Sequence, residues 1–326
     1  MKNQRKIVLL SLFPFLLCGC SNLNSFKDYG INDYKLIMDY KEDFKIMQLT
    51  DLHFSRQCDF KRTTDYLRKN ILTSSPDLLI LTGDTFMDAN KSIVNNVFSF
   101  IDSFNIPFAF TYGNHDLQGD YDYYYIAREL KNYKNAKYID YEDDNIYGKA
   151  NYFIDLMEES KIKYRIYIID SNSYHFNGLK YEYDIIHEDQ IKHLENINKI
   201  DGEAFGLAFY HIPLYEMHDA LRLYKRGSSE VIGRGEQNEK VCYAYKRTDA
   251  FNRMKNIDIK GHFFGHDHIN NADVMYQGVS LSYGVKSTRE IYHNDNMIGY
   301  KEIVLKSDMS WSIDENIFTR IVGYEK

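Results

Sequence analysis

Asp51-Leu52-His53, Gly83-Asp84, Gly113-Asn114-His115-Asp116, His211 and Gly265-His266-Asp267-His268 set carboxylates, imidazoles and one carboxamide at five points of a 326-residue chain. No thiolate is among them. Oxygen and imidazole nitrogen together suit Zn, Mn or Fe and not a soft-metal site. Imidazole is also the side chain whose proton exchanges most readily near neutral pH. The chemistry on offer is metal binding combined with acid–base work.

Each of these groups closes an apolar run: Phe44 to Leu49, Asp77 to Leu81, Phe108 to Phe110, Gly206 to Tyr210 and Ile257 to Phe264. A sixth run, Tyr164 to Ile169, ends in Asp170-Ser171-Asn172. Such runs read as buried strands, and segments 59 to 73 and 91 to 104 between the first three are of helical length. The alternation predicts βαβ units and a sheet covered on both faces. Asn151 to Glu158 with Tyr164 to Asp170 reads as a hairpin, as does Asp273 to Tyr276 with Val279 to Tyr283 around Gly278. The sheet is therefore expected to be mixed, with two sheets facing each other. In open α/β sheets ligands bind beyond the carboxyl ends of the strands, so this topology delivers all the polar groups to one edge. Asp51 and His53, like His266 and His268, are two apart, which on an extended backbone turns each pair to one side. The glycines before Asp84, Asn114 and His266 permit close backbone approach.

The series D-x-H, G-D, G-N-H-[DE], H and G-H-x-H, complete and in order from Asp51 to His268, resembles the calcineurin-like metallophosphoesterases. The gaps of 33 residues from Asp51 to Asp84 and 30 from Asp84 to Asn114 are of the size that family uses. The stretches Phe44 to His53, Tyr210 to Leu214, Gly265 to Asn270 and Glu188-Asp189-Gln190 with Leu194 are most similar to its purple-acid-phosphatase-like branch. The resemblance implies a four-layer α/β/β/α sandwich with mixed sheets. It implies a dinuclear centre in which Asp51, His53, Asp84 and His268 hold one divalent ion and Asp84, Asn114, His211 and His266 the other, with Asp84 bridging. Two such ions (Mn, Zn or Fe) can clamp both oxygens of an in-line phosphoryl displacement and generate hydroxide near neutral pH. Their charge less that of Asp51 and Asp84 leaves the site attractive to a phosphate ester, monoester or diester. His115 would then act as the acid that protonates the leaving group, and Asp116 would orient it and raise its pKa. Purple acid phosphatases proper carry a tyrosine three residues after the G-D aspartate. This chain has Met87 there, so no purple colour is expected and metal identity stays open.

The first nineteen residues read separately. Lys2, Arg5 and Lys6 precede the apolar run Ile7 to Leu17, too short to span a bilayer, which needs about 20 residues. This is an export signal. Leu17-Cys18-Gly19-Cys20 resembles a bacterial lipobox, with Cys20 the residue to be lipidated and 20 to 33 a polar tether. A secretory signal cut nearby without lipidation is the other reading. Residues 34 to 326 are then the metallophosphoesterase domain, held at the outer face of a bacterial membrane. Removal of residues 1 to 19 takes the formal charge from −7 to −10. That acidity argues against a nucleic-acid partner, because such binding depends on Lys and Arg neutralising phosphates, and so counts against the nuclease alternative. A non-catalytic, surface-binding lipoprotein is the reading from another class. The sequence indicates no oligomeric state.

Other features take bland readings. His175, His187, His193, His218 and His293 read as structural, and His262, on the same strand side as His266 and His268, reads as structural too. Asp120 to Tyr125 reads as the amphipathic start of a helix with partly exposed tyrosines. Cys58 and Cys242 are equally compatible with a disulfide and with two free thiols. Lys225 to Asn238 has no apolar period and reads as a loop, either a lid or a disordered insertion.

Overall fold

A computed structural model of the chain describes residues 30–139 and 145–317. The expected export signal, Cys20 and most of the expected tether lie outside them. Strand β1 (Lys35–Asp39) is followed by β2 (Phe44–Leu49), α1 (Phe60–Ser74), β3 (Leu78–Thr82), α2 (Lys91–Asp102), β4 (Phe108–Thr111) and α3 (Tyr123–Leu130). The middle of the chain carries β5 (Tyr152–Glu158), β6 (Lys161–Ile168), β7 (Tyr174–Phe176), β8 (Tyr181–Tyr183), α4 (Glu188–Asp201), β9 (Gly206–Phe209) and α5 (Tyr215–Lys225). It closes with β10 (Val231–Arg234), α6 (Ala250–Asn256), β11 (Ile259–Phe264), β12 (Asp273–Tyr276), β13 (Val279–Tyr283), β14 (Gly299–Leu305) and β15 (Trp311–Ile317). The helices begin where short polar side chains cap them: Asp59 accepts from the Arg62 amide (3.1 Å), Asn90 from Ile93 (3.0 Å) and Asp122 from Tyr125 (2.9 Å).

Two mixed sheets result. One has the order β15-β14-β2-β3-β4, with β2, β3 and β4 parallel; the other runs β1-β5-β6-β9-β11-β13-β12-β10, with β6, β9, β11 and β13 parallel. The β5–β6 and β12–β13 hairpins are antiparallel, as their sequence suggested. Strand alternation divides the core of the larger sheet. Leu207, Phe209 and Phe263 join the cluster that also contains β2, β3 and β4 and the inner faces of α1 and α2. Ala208, Tyr210 and Phe264 join the cluster with Leu194 of α4, Met217 of α5 and Phe251 of α6. The layers are thus helices, sheet, sheet, helices, the α/β/β/α sandwich.

Buried polar contacts fix one sheet against the other. Gln48 of β2 donates to the Phe264 carbonyl of β11 (3.2 Å), and Thr111 of β4 to that of Ile169, just past β6 (2.8 Å). Lys301 of β14 pairs with Asp273 of β12. Within the larger sheet the fully buried Arg165 grips Asp155 through Nε (2.7 Å) and Nη2 (3.0 Å).

One expectation changes and one open alternative is settled. Lys225 to Asn238 is no continuous loop, because it contains β10, the edge strand that pairs antiparallel with β12. An edge strand buries only part of its surface, so its sequence carries no apolar period. Cys58 and Cys242 are both free thiols.

His262 lies wholly inside β11, its Nδ1 3.0 Å from the Tyr210 hydroxyl, and burial pushes its pKa down to about 3. Folded, it is neutral; unfolded, it takes up a proton near pH 6.5. Its contribution to stability is complete above about pH 6.5 and is lost as pH falls towards about 3, with a slope of up to ~1.4 kcal/mol per pH unit. Urea unfolding across that window should show the slope reduced in His262→Asn relative to the wild type.

Candidate metal centre

The carboxyl ends of β2, β3 and β4 from one sheet meet those of β9 and β11 from the other. Asp51, His53 and His268 bring one ligand atom each to within 4.8 Å of one another, and Asp84, His211 and His266 do the same. Each trio draws on both sheets. Asp84 Oδ2 lies between them, 3.1 Å from His211 Nε2 and 3.8 Å from His53 Nε2. His53 Nε2 is 3.1 Å from His268 Nε2, and Asp51 Oδ1 is 3.4 Å from the latter.

Asp51, Asp84, Asn114, His211 and His268 share one design: one end is held by the protein and the other is turned to the centre. Asp51 Oδ2 accepts from Thr50 Oγ1 (2.8 Å) and the His266 amide (3.1 Å), whereas Oδ1 is buried without a hydrogen-bond partner. Asp84 Oδ1 accepts from the His115 amide (2.8 Å), leaving Oδ2 for the imidazoles. Asn114 donates Nδ2 to the Tyr174 hydroxyl (2.9 Å) and buries Oδ1 bare. His211 meets the Thr82 carbonyl through Nδ1 (2.9 Å), and His268 meets that of Tyr292 (3.0 Å). His266 Nε2 is likewise buried and unpartnered, whereas the buried His211 Nε2 faces Asp84 Oδ2, whose charge, against the opposing effect of burial, raises the His211 pKa to about 10. His53 departs from the pattern, because its Nδ1 is also bare.

A buried acceptor without a donor costs about 1–3 kcal/mol. Three of them, on Asp51, Asn114 and His266, converge with His211 Nε2 and Asp84 Oδ2 on two points, and this set of oxygen and imidazole nitrogen fits a pair of divalent cations. The electrostatics agree. Burial alone would raise the Asp51 carboxyl, but the imidazoles of His268, His211 and His53 outweigh it and hold it well below the usual carboxylate range. Burial likewise opposes Asp84, whose carboxyl His211 and His53 depress. Burial pushes His266 down to about 3, which leaves its nitrogen lone pair free to ligate.

Sequence parity misjudged the local backbone. Strand β2 ends at Leu49, and Asp51 (φ 55°), His53 (φ 51°), Asp84 (φ 49°) and His266 (φ 79°) all adopt the left-handed region. The ligands converge through strained turns that cost roughly 1–2 kcal/mol each, not through strand alternation. Close approach is real, however. A Cβ on Gly113 would lie 2.4 Å from the Asp84 amide, and one on Gly265 1.9 Å from Thr50 Oγ1.

His115 is half-buried at the rim, its ring 5.4 Å from that of His53. Its Nδ1 meets Gln118 Oε1 at 2.7 Å; since that oxygen can only accept, Nδ1 carries the hydrogen and Nε2 is the nitrogen left for the site. Asp116 does not take the part expected of it. Both its oxygens accept backbone amides, Oδ1 from Phe86 (2.9 Å) and Oδ2 from Gly113 (2.7 Å). Burial, and then the charge of Asp84, push its carboxyl up to about 8. It positions the turn that carries Gly113 and Asn114, and Gln118 is the partner of His115.

Three further contributors carried no recognisable signal in sequence. Lys286 is fully buried and donates to the Asp51 carbonyl (2.7 Å). Tyr174 holds Asn114, and Tyr183, across the β7–β8 hairpin, sets its ring edge-on to His266 at 4.3 Å. Tyr174→Phe should therefore free the Asn114 carboxamide to rotate. The expected result is metal affinity lowered by about 10–100-fold at one of the two sites, measured by competition with a chelator, with the other site unchanged.

The chain matches the family model described as "Calcineurin-like phosphoesterase" over residues 44–270. It is 30% identical over 254 residues to an uncharacterized protein of Schizosaccharomyces pombe, a match covering 71% of this chain but only 46% of that protein. It is 27% identical over 297 residues to the "Probable inactive purple acid phosphatase 29" of Arabidopsis thaliana, covering 77% and 73% of the two. Among solved structures it shares the fold of a dimetal phosphatase from Danio rerio, with a TM-score of 0.55, 13% identity, and coverage of 81% and 93%.

Proposed function

The chain belongs to the calcineurin-like phosphoesterases, and we propose that it hydrolyses phosphate esters with the two ligand trios as its catalytic centre. The observation that carries this is the set of buried, unpartnered ligand atoms on Asp51, Asn114 and His266, gathered beside the His211–Asp84 pair and each fixed from behind or flanked by neighbouring rings. Asp51, His53 and His268 would hold one divalent ion, and Asn114, His211 and His266 the other, with Asp84 Oδ2 between. Two divalent ions bound there supply a water acidic enough to attack at neutral pH and offset the charge of the phosphoryl oxygens.

The chain's own residues do the rest. Thr50 and the His266 amide fix the direction of Asp51, and the His115 amide fixes Asp84. When the phosphorus–oxygen bond breaks, the departing alcohol oxygen keeps the electron pair and takes a proton from His115 Nε2. Gln118 accepts the Nδ1 hydrogen and so turns Nε2 to the site, and the proton transferred is the second one, carried on Nε2 by the imidazolium form.

The name of the Arabidopsis relative describes it as inactive, which favours a second reading, binding without turnover. Retention of all seven candidate ligands together with His115 supports turnover in this chain. The lipobox-like Leu17-Cys18-Gly19-Cys20 supports an exported hydrolase anchored through Cys20, acting on phosphorylated molecules outside the cytoplasm.

Two variants test the roles. His115→Ala should keep two equivalents of metal by elemental analysis and lose about 10²–10⁴-fold in kcat on a chromogenic phosphate ester. Asp84→Ala should lose metal. An emptied centre in His115→Ala would overturn the assignment of acid and ligands. Wild-type protein carrying two equivalents of Mn, Zn or Fe, yet inert towards both a monoester and the matching diester, would instead establish the binding reading.

A further inference from the structure

Beside the metal centre lies a cavity of about 400 Å³, lined by Tyr112, Gly113, Leu117, Tyr147, Lys149 and Tyr174 among others. Its position ties it to the chemistry. Gly113 lines it and also abuts the Asp84 amide and the His211 ring, so one wall of the cavity is the floor of the centre. Tyr174 lines it while its hydroxyl holds Asn114. A phosphoryl group at the centre would turn one substituent into this space.

The walls specify that substituent. Tyr147 is stacked on His187 (ring centroids 3.9 Å apart, planes at 21°) and Tyr174 on Tyr183 (5.6 Å, 27°). Each tyrosine is thereby braced on one face and has the other free. Tyr147 is still 49% exposed, Tyr174 39% and Leu117 45%, an apolar surface left uncovered at the mouth of a polar centre. Such surface marks a binding site more often than an accident. The volume lies within the range of about 300–1,000 Å³ usual for small-molecule pockets, larger than one ring requires.

Charge narrows the class further. Asp170 and Asp184 line the cavity, each already satisfied by backbone amides: Asp170 by Lys149 (2.7 Å) and Asn172 (2.8 Å), and Asp184 by Ile185 (2.8 Å). Lys149 Nζ lies 4.4 Å over the Tyr123 ring. Two carboxylates, one of them 3.2 Å from His187 Nε2, accompany the one ammonium, so the wall has no surplus of positive charge to offer a second phosphate or a carboxylate.

We infer that this cavity is the leaving-group subsite and that it selects phosphate esters whose leaving alcohol carries an uncharged aromatic ring. The inference rests on the phosphoesterase reading above. An aromatic ring entering between Tyr147 and Tyr174 covers their free faces and Leu117, while the phosphate stays over the metal ligands.

The test uses the full chain loaded with two equivalents of Mn and three phosphonates, whose carbon–phosphorus bond is not hydrolysed. Calorimetry should show phenylphosphonate binding about tenfold more tightly than methylphosphonate. Tyr147→Ala, which touches no proposed ligand, should erase that advantage and leave methylphosphonate unchanged. A carboxylate added at the para position of the ring should weaken binding. Equal affinities for phenyl- and methylphosphonate, a loss in Tyr147→Ala shared by both, or tighter binding of the carboxylate would overturn the subsite while leaving the phosphoesterase reading intact. If no phosphonate binds, the subsite falls, while turnover of the chromogenic phosphate ester decides the phosphoesterase reading separately.

Discussion

Asp51 and Asp84 bring two carboxylates, and His53, His211, His266 and His268 four imidazoles, into a volume from which solvent is excluded. Removing that many polar groups from water is tolerable only where their charge and lone pairs are answered, and the chain does not answer them by itself. It holds the far ends of Asp51, Asp84, His211 and His268 and turns their near ends to one another. The rest of the architecture follows from keeping these six side chains and Asn114 in that arrangement.

The first requirement is register between two sheets. Because each trio takes residues from both, a slide of one sheet over the other would separate Asp51 from His268 and Asp84 from His211. An apolar interface resists separation but hardly resists sliding, since hydrophobic contact is not directional. Gln48, Thr111 and Lys301 supply the direction, each reaching from the smaller sheet to a specific group on or beside a strand of the larger. Buried polar contacts with fixed partners cost little when formed and much when broken, which suits them to setting register.

The second requirement is strain. Four of the ligands lie at positive φ, in turns immediately beyond the strands, and Asp116 ties one of those turns, through the Phe86 amide, to the turn of Gly113 and Asn114. Turns of this kind would relax if free. They persist because Leu52, Phe54 and Phe86 beside them are fully buried and because Lys286 anchors the Asp51 carbonyl from below. Rigidity at the ligands contrasts with the exposed tyrosines of the neighbouring cavity, where a substrate and not the protein would complete the packing.

Much of this was legible in the sequence for one physical reason. A β-strand buried on both faces must be a short apolar run, and its carboxyl end must be where polarity resumes, so Asp51, Asp84, Asn114, His211 and His266 announce both the strands and the edge on which they meet. The order of the runs also determined the parallel cores of both sheets and the two hairpins. Partner choice was not legible. The role of Asp116 depended on which way its side chain turned out of a tight turn, and adjacency to His115 carries no such information. Tyr174 and Lys286 meet their partners across 60 and 235 residues of chain, where nothing local marks them. The edge strand β10 was hidden because exposure on one side removes the apolar pattern that reveals a strand. Sequence alone determined which groups arrive at the centre; only the tertiary structure decided which atom of each is held and which is left bare, because that depends on contacts between chain segments that become neighbours only on folding.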